Sequence, residues 1–311
     1  MNKKLAMIGA GVVAGSVLLM SSVYAGIGDA QGYDTLKSAI KNTATVDNVT
    51  RKVNLSVEDN GKVLFQVNST LKTSKTGAMG SAEFTLKSGE TEQNIHIFNQ
   101  DNQKIIKTSQ SDVYRIVDMD IEEDSGFKKF RDHKDLKQHD PAFAQEVENV
   151  IDTLVGNLKN YVTLKEEGAS KEVALHLTGS QIPALVNTAG SLLIREGGRE
   201  HGDELELNPA NTFGVNVQSI KDSLPKLAED IKIQTVSMDA DVNADNLIAS
   251  HTAEIQISGK DSEGIQHQVV VKLTVDSSDF NNTIPDTVDL TGKQVENVKP
   301  FNKEAMTRWH K

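Results

Sequence analysis

Two parts of the chain alternate apolar and polar residues, which is the period of a β-strand with one buried face. In the first part, the alternating runs 53–57 and 63–67 flank the dipeptide Asn60-Gly61. Asn-Gly between two such runs is typical of a tight hairpin, because both turn residues adopt positive φ. Further alternating runs continue to Val117. The pattern therefore predicts an antiparallel meander with one apolar face.

The second alternating part lies nearer the C-terminus and ends in one long predicted hairpin, with strands 247–258 and 265–275. His251 is in phase with the apolar residues of the first strand, and His267 is in phase with those of the second. A histidine on an apolar face is usually a satisfied core residue. The alternative is that the face lines a cavity, which needs a few polar groups.

The chain between the two predicted meanders has mainly the three-to-four residue period of helices, with one short predicted strand at 173–177. Asp140 is a predicted N-cap with Pro141 at the first helical position, and one apolar stripe follows over residues 143–162. A second predicted helix, 182–194, is apolar at most of its positions. The charged, glycine-rich segment 196–211 that follows it has the composition of a mobile loop.

A short amphipathic helix is predicted around Tyr33, Leu36 and Ile40, before the first meander. Together these elements predict an α+β fold, in which a curved antiparallel sheet, or half-barrel, wraps around central helices. Residues 26–276 are expected to form a single domain, and residues 277–311 a partly extended C-terminal tail.

The N-terminal 25 residues have the features of a secretory signal peptide. A basic start precedes the apolar run 5–20, and Val23 and Ala25 occupy the small positions before a cleavage site. We therefore expect Gly26 as the mature N-terminus and a secreted or extracytoplasmic location. The longer run from Leu5 to Ala25, about 21 residues, is also long enough to remain as a single N-terminal membrane anchor, and that alternative stays open.

Composition narrows the classes of function. The 311-residue chain contains no cysteine and has a formal net charge of −11 at pH 7. Without thiols there are no disulfides, no thiolate metal sites, no cysteine nucleophile and no lipidated cysteine. The negative charge disfavours binding to nucleic acid, so we expect no nucleic-acid partner.

Candidate catalytic and metal motifs are weak. Asp239, Asp241, Asn243 and Asp245 have the spacing of a calcium loop, but Ala244 stands where that loop requires glycine. We therefore expect a strand and a turn there. The sequence has no signature of a serine hydrolase, a zinc protease or a phosphate-binding loop. We predict no metal, no cofactor and no enzymatic activity.

In the order of its elements, the chain resembles the superfamily of exported lipid carriers typified by LolA and LppX. This resemblance is one of architecture over residues 33–276 and carries no site residue, because it rests on no motif. It implies a half-barrel covered by helices and an apolar ligand. The chain departs from the LppX-type pattern in having no cysteine for tethering by acyl chains. It is more closely similar to uncharacterised exported proteins of Gram-positive bacteria, through the segments YDTLKSAIKNT (33–43) and TIPDTVDLTGK (283–293).

Two functions from different classes remain open. In the first, the chain is an exported cell-envelope protein that binds an apolar ligand, such as a lipid, between its sheet and its helices. In the second, it is a structural or protein-interaction module of the envelope, with a filled core and an envelope protein as partner. For the first function, the predicted cavity lining comes from the apolar helix and the last hairpin: Leu185, Ala189, Leu192, Leu193, His251, His267, Val269 and Val271.

Overall fold

The computed structural model describes five stretches of the chain: 31–46, 48–74, 80–118, 161–182 and 223–298. The predicted signal peptide and nearly all of the predicted helices 143–162 and 182–194 lie outside these residues. Val162, the last residue of the first of those helices, begins a β-strand instead.

The described residues form one α-helix and twelve β-strands, which all belong to one sheet. Helix α1 is Gln31–Ala44. The strands in chain order are β1 (Val49–Asp59), β2 (Lys62–Thr73), β3 (Gly80–Ser88), β4 (Thr91–Gln100), β5 (Gln103–Thr108), β6 (Tyr114–Asp118), β7 (Val162–Glu167), β8 (Ser170–Thr178), β9 (Glu229–Val242), β10 (Ile248–Lys260), β11 (Gln266–Ser278) and β12 (Val295–Asn297). A short 3₁₀ helix, Gly179–Gln181, follows β8.

The sheet consists of two antiparallel meanders that meet at one ladder. Its spatial order is β12-β6-β5-β4-β3-β2-β1-β11-β10-β9-β8-β7. The first strand of the first meander, β1, pairs with the last long strand of the second, β11. β12 lies parallel to β6, and the other ladders of the described residues are antiparallel.

The register separates an apolar face of the sheet from a polar face. Val53 lies opposite Val275, which in turn lies opposite His251. Side chains alternate between the two faces along each strand, so these residues share one face with the other apolar positions of β1, β10 and β11. We call this the apolar face. The polar face carries their neighbours, such as Asn54 and Thr274, which also pair.

Helix α1 packs on the apolar face at one end of the second meander. Its Leu36 and Ala39 are almost fully buried in one cluster with four sheet residues: Val173, Ala240, Val242 and Ile248. Gly32, near the start of the helix, lies so close to β7 that a Cβ atom would approach the carbonyl oxygen of Val162 to 3.1 Å. The helix predicted from Tyr33, Leu36 and Ile40 is therefore confirmed.

After β11 the chain crosses the polar face near the ends of β1–β4 and reaches β6. Asn48 donates from Nδ2 to the Thr283 carbonyl (2.8 Å) and accepts from the Thr283 amide (2.7 Å). Gln100 makes the same two-way pair with the backbone of Val288. Asp286 accepts from Lys72 at 2.7 Å. The predicted extended tail is thus held to the sheet by side chains of the first meander.

The predicted fold class, an α+β protein with a half-barrel wrapped around central helices, is wrong. Strands account for 62% of the described residues and helices for 10%, so the fold is dominated by its sheet. The two predicted meanders join edge to edge through the ladder from Thr50–Ser278 to Asp59–Val269. Residues 162–178 extend this sheet as β7 and β8. Alternation predicts which side of a strand is apolar, but not which strand lies beside it.

Candidate functional site

A row of apolar side chains crosses the middle of the apolar face. The register aligns one residue from each of β2, β1, β11, β10, β9 and β8: Val67, Leu55, Leu273, Ala253, Met238 and Leu175. We call these six residues the central row. Leu273 is buried, whereas the other five remain partly exposed. Soluble proteins rarely leave contiguous apolar surface accessible without a partner or a ligand.

Closely packed clusters lie on both sides of the central row. Towards the β1–β2 turn, Leu227 packs on four buried sheet residues: Val57, Phe65, Leu86 and Val269. Beyond the opposite side of the row lies the cluster that contains α1. Leu273 of the row is itself clustered with Val53 and Val275. Four other members pack against core clusters: Leu55, Val67, Met238 and Leu175. The row is therefore an apolar strip that is continuous with filled core and remains only partly exposed.

His251 lies on the apolar face immediately beside the central row. Its neighbours in the ladders are Ala240 on β9 and Val275 on β11, both buried. The residue is only 8% exposed, and within the described structure neither ring nitrogen has a hydrogen-bond partner. Burial lowers the pKa of His251 to about 4, outweighing the opposing charge of Asp276. The imidazole is therefore neutral at pH 7, with one N–H to donate and one nitrogen to accept.

Arg51 precedes Val53 by two residues and lies on the same face of the sheet. It lies opposite Leu71 on β2 and Ser277 on β11, and its side chain is partly buried. No hydrogen bond or ion pair joins it to another described residue, and burial lowers the pKa of its guanidinium. Arg51 is near enough that its charge also lowers the pKa of His251. A neutral imidazole thus adjoins the central row, and a cation lies one row further along the same face.

Sequence reasoning missed Arg51, although a signal was present. Arg51 alternates in phase with Val49 and Val53, so strand periodicity alone places it on the apolar face. A charged residue at such a position needs a partner or a functional reason.

His267 was predicted on the same lining, but it lies at the other end of the β10–β11 hairpin. Its Nδ1 is 2.7 Å from Oδ2 of Asp59, and its Nε2 is 3.4 Å from Oδ2 of Asp261. The hydrogen bond with Asp59 is the main cause of a raised pKa for His267. From His267 to Val275, which pairs with His251, is eight residues, or about 27 Å of strand. The structure does not bring the two histidines together.

The remaining predicted lining residues divide into three groups. Val269 is buried in the cluster with Leu227. Val271, partly buried, packs against that cluster and lies opposite Ile255. The residues predicted from the apolar helix lie outside the described residues: Leu185, Ala189, Leu192 and Leu193. Their role as lining stays a prediction.

Two clefts elsewhere on the described surface have mostly polar walls. One, of about 520 Å³, lies between the start of α1 and the turns after β7 and β9, and it includes Asp34, Lys171 and Asn243. The other, of about 330 Å³, lies on the polar face and includes Lys52 and Glu83. Neither contains a polar atom that is buried without a partner, which distinguishes them from the surroundings of His251.

The calcium-like sequence is a strand and a turn, as predicted. Asp239 and Asp241 belong to β9. The side-chain oxygen of Asn243 accepts hydrogen bonds from the amides of Asp245 (3.0 Å) and Leu247 (2.9 Å), so it closes the turn. Across the described stretches, no three acidic, histidine or cysteine side chains are grouped to hold a metal ion. In the same stretches, no helix is long and apolar enough to cross a membrane.

No protein-family model and no curated protein matches the chain. Among solved structures, that of MucB in complex with MucA(peri) is 10% identical, with a TM-score of 0.20 over 83% of this chain and 100% of that chain. The bifunctional dehydratase-cyclase domain in ambruticin biosynthesis is 11% identical, with a TM-score of 0.13 over 78% and 79%. The dehydratase domain of RzxB from Pseudomonas fluorescens is 12% identical, with a TM-score of 0.11 over 79% and 85%. Similarities at these TM-scores carry no argument about family or function.

Proposed function

We propose that this chain is an exported protein of the cell envelope that binds an apolar ligand, of the lipid class, on the apolar face of its sheet. The observation that carries the proposal is the central row, which stays partly exposed beside filled clusters and adjoins a buried imidazole that has no hydrogen-bond partner among the described residues. Ligand sites typically combine a mainly apolar lining with a few polar groups, and these residues have that combination.

The energetics favour an occupant on this row. Each Å² of apolar surface removed from water is worth about 25 cal/mol, so an acyl chain covering five partly exposed side chains gains several kcal/mol. The two ring nitrogens of His251 are buried without a hydrogen-bond partner among the described residues, which is unfavourable. A polar group of the same ligand would provide a partner for them. A binding role needs no catalytic group, which accords with the absence of a catalytic signature from the sequence.

The signal-like N-terminus supports export. The class of ligand rests on the apolar face itself, because the half-barrel that the resemblance to lipid carriers implied is not the fold observed.

A structural or protein-interaction module is the second candidate. The cluster of Leu227 with Val57 and Phe65 favours it, because these side chains are buried to the degree of an ordinary core. If the whole apolar face is filled in this way, function resides elsewhere on the surface.

Lipid analysis of protein purified from its own host tests the proposal. We expect native mass spectrometry to show a bound species that organic extraction removes, and the extracted protein to take up the apolar fluorophore N-phenyl-1-naphthylamine. Val271→Asn should weaken uptake, because Val271 lies on the apolar face. Lys272→Asn, its neighbour on the polar face, is the matched control and should not. Protein without co-purified lipid and without fluorophore uptake would leave the structural module as the better account.

A further inference from the structure

We propose that the apolar ligand carries a carboxylate head group, held between Arg51 and His251, with its chain lying along the central row. This inference rests on the proposed function and adds a ligand class to it. It is carried by the position of the two side chains and by their lack of partners within the described residues.

The strand register places His251 and Arg51 on the same side of the central row. His251, Val275 and Val53 occupy the cross-strand row next to the central row, and Arg51 occupies the row after that. A head group bound by Arg51 and His251 would therefore lie beside Val53, with the central row within reach of an attached chain. Successive rows on one face are about 6–7 Å apart, which is a span of a few methylene groups.

A carboxylate would supply a hydrogen-bond acceptor to His251 and a counter-ion to Arg51. His251 is more than nine-tenths buried, and its N–H has no acceptor among the described residues. Arg51 has a partly buried positive charge, and among the described residues it makes no ion pair. Leaving such groups unpaired away from water is costly, and a carboxylate accepts hydrogen bonds from both.

Charge complementarity selects an anion over a neutral or a cationic head. The guanidinium is the permanent charge at this position on the apolar face, since the His251 ring is neutral at pH 7. Asp276, whose charge also influences His251, belongs to the polar face and accepts a hydrogen bond from Ser250 at 2.8 Å. It is therefore directed away from Arg51 and does not occupy the site. The planar guanidinium matches the two oxygens of a carboxylate.

The experiment compares two probes of equal chain length, oleate and oleyl alcohol, on delipidated mature protein below their aggregation concentrations. We expect oleate to bind about tenfold or more tightly than oleyl alcohol, because charge-assisted hydrogen bonds add to the burial of the shared chain. Arg51→Gln should weaken oleate binding about tenfold and change oleyl alcohol binding less than twofold. Arg51→Lys keeps a positive charge, so it should retain most of the wild-type preference for oleate over oleyl alcohol.

Lys52→Gln is the matched control, because it removes the adjacent cation from the polar face, and it should leave both affinities unchanged. Thermal melting of each variant checks its folding. If Arg51→Gln does not fold, the wild-type comparison alone decides, and equal affinities for the two probes would overturn the inference. Equal binding with no response to Arg51→Gln refutes the carboxylate but preserves an apolar site. Binding of neither probe refutes the proposed function itself.

Discussion

The imidazole of His267 lies 2.7 Å from the carboxylate of Asp59, and this contact joins the end of β1 to the start of β11. The two residues are 208 positions apart, and they meet where the two meanders meet. On its other side the ring faces Asp261, 3.4 Å away, in the β10–β11 turn. A protonated ring can donate to both carboxylates at once. The cluster therefore links the end of β1, the β10–β11 turn and the start of β11.

The stability contributed by His267 should depend on pH. Its pKa is raised in the folded protein, chiefly by the hydrogen bond with Asp59. Its contribution is therefore complete below the unfolded pKa of about 6.5 and is lost as the pH rises through the folded pKa. We expect His267→Gln to lower the free energy of unfolding by about 1 kcal/mol at pH 6. The difference from wild type should shrink by pH 9.

Urea unfolding at pH 6, 7.5 and 9 measures this difference. His176→Gln is the control, because His176 is an exposed residue of β8 and joins no comparable cluster of described residues. A constant difference between wild type and His267→Gln across the three pH values would show that the ring is not charged in the fold.

His251 should have the opposite effect on stability. Burial lowers its pKa to about 4, so between pH 4 and 6.5 the unfolded chain binds a proton that the folded chain does not. Stability is therefore lost as the pH falls through this window, by up to about 3 kcal/mol for this one group. We expect His251→Phe, in delipidated protein, to lose less stability than wild type between pH 7 and pH 4.5.

Denaturant titrations at the two pH values give the comparison, and His176→Phe controls for loss of an exposed ring. Equal losses in wild type and His251→Phe would contradict the buried, neutral state of His251.

Local sequence signals predicted the turns and the faces of the sheet, because they depend on neighbouring residues. Asn60 and Gly61 have the positive φ values (51° and 79°) expected of their hairpin turn. By contrast, alternation contains no information about the pairing of β1 with β11, which depends on residues more than 200 positions apart. The same limit hid the role of His267, which is in phase with an apolar strand but meets Asp59 at its end.

The attachment of the segment after β11 to the polar face should depend on Asn48. Asn48 and Thr283 are both buried and satisfy each other through two hydrogen bonds, 2.7 and 2.8 Å long. Asn48→Ala leaves the amide and the carbonyl of Thr283 without these partners, so we expect a loss of about 1–3 kcal/mol. Hydrogen exchange of the Thr283 amide should become faster. Asn282→Ala is the control, because Asn282 is exposed and its side chain donates to the Phe280 carbonyl within its own turn. Equal exchange rates in both variants would refute this role.

Two leucines that lie opposite each other on the apolar face should distinguish a ligand site from a filled core. Leu55 and Leu273 pair across the β1–β11 ladder on the apolar face, but Leu273 is buried and Leu55 remains partly exposed. Truncating a leucine in a filled core costs about 2–5 kcal/mol, because a void is left in close packing. We expect Leu273→Ala to cost an amount in that range. If the row binds a ligand, Leu55→Ala should cost less than about 1.5 kcal/mol, because Leu55 is already partly exposed, and it should alter uptake of N-phenyl-1-naphthylamine. Chemical denaturation and fluorescence titration of the two variants measure both effects. If the two substitutions cost the same and neither changes uptake, the central row is ordinary core and the chain is a structural module.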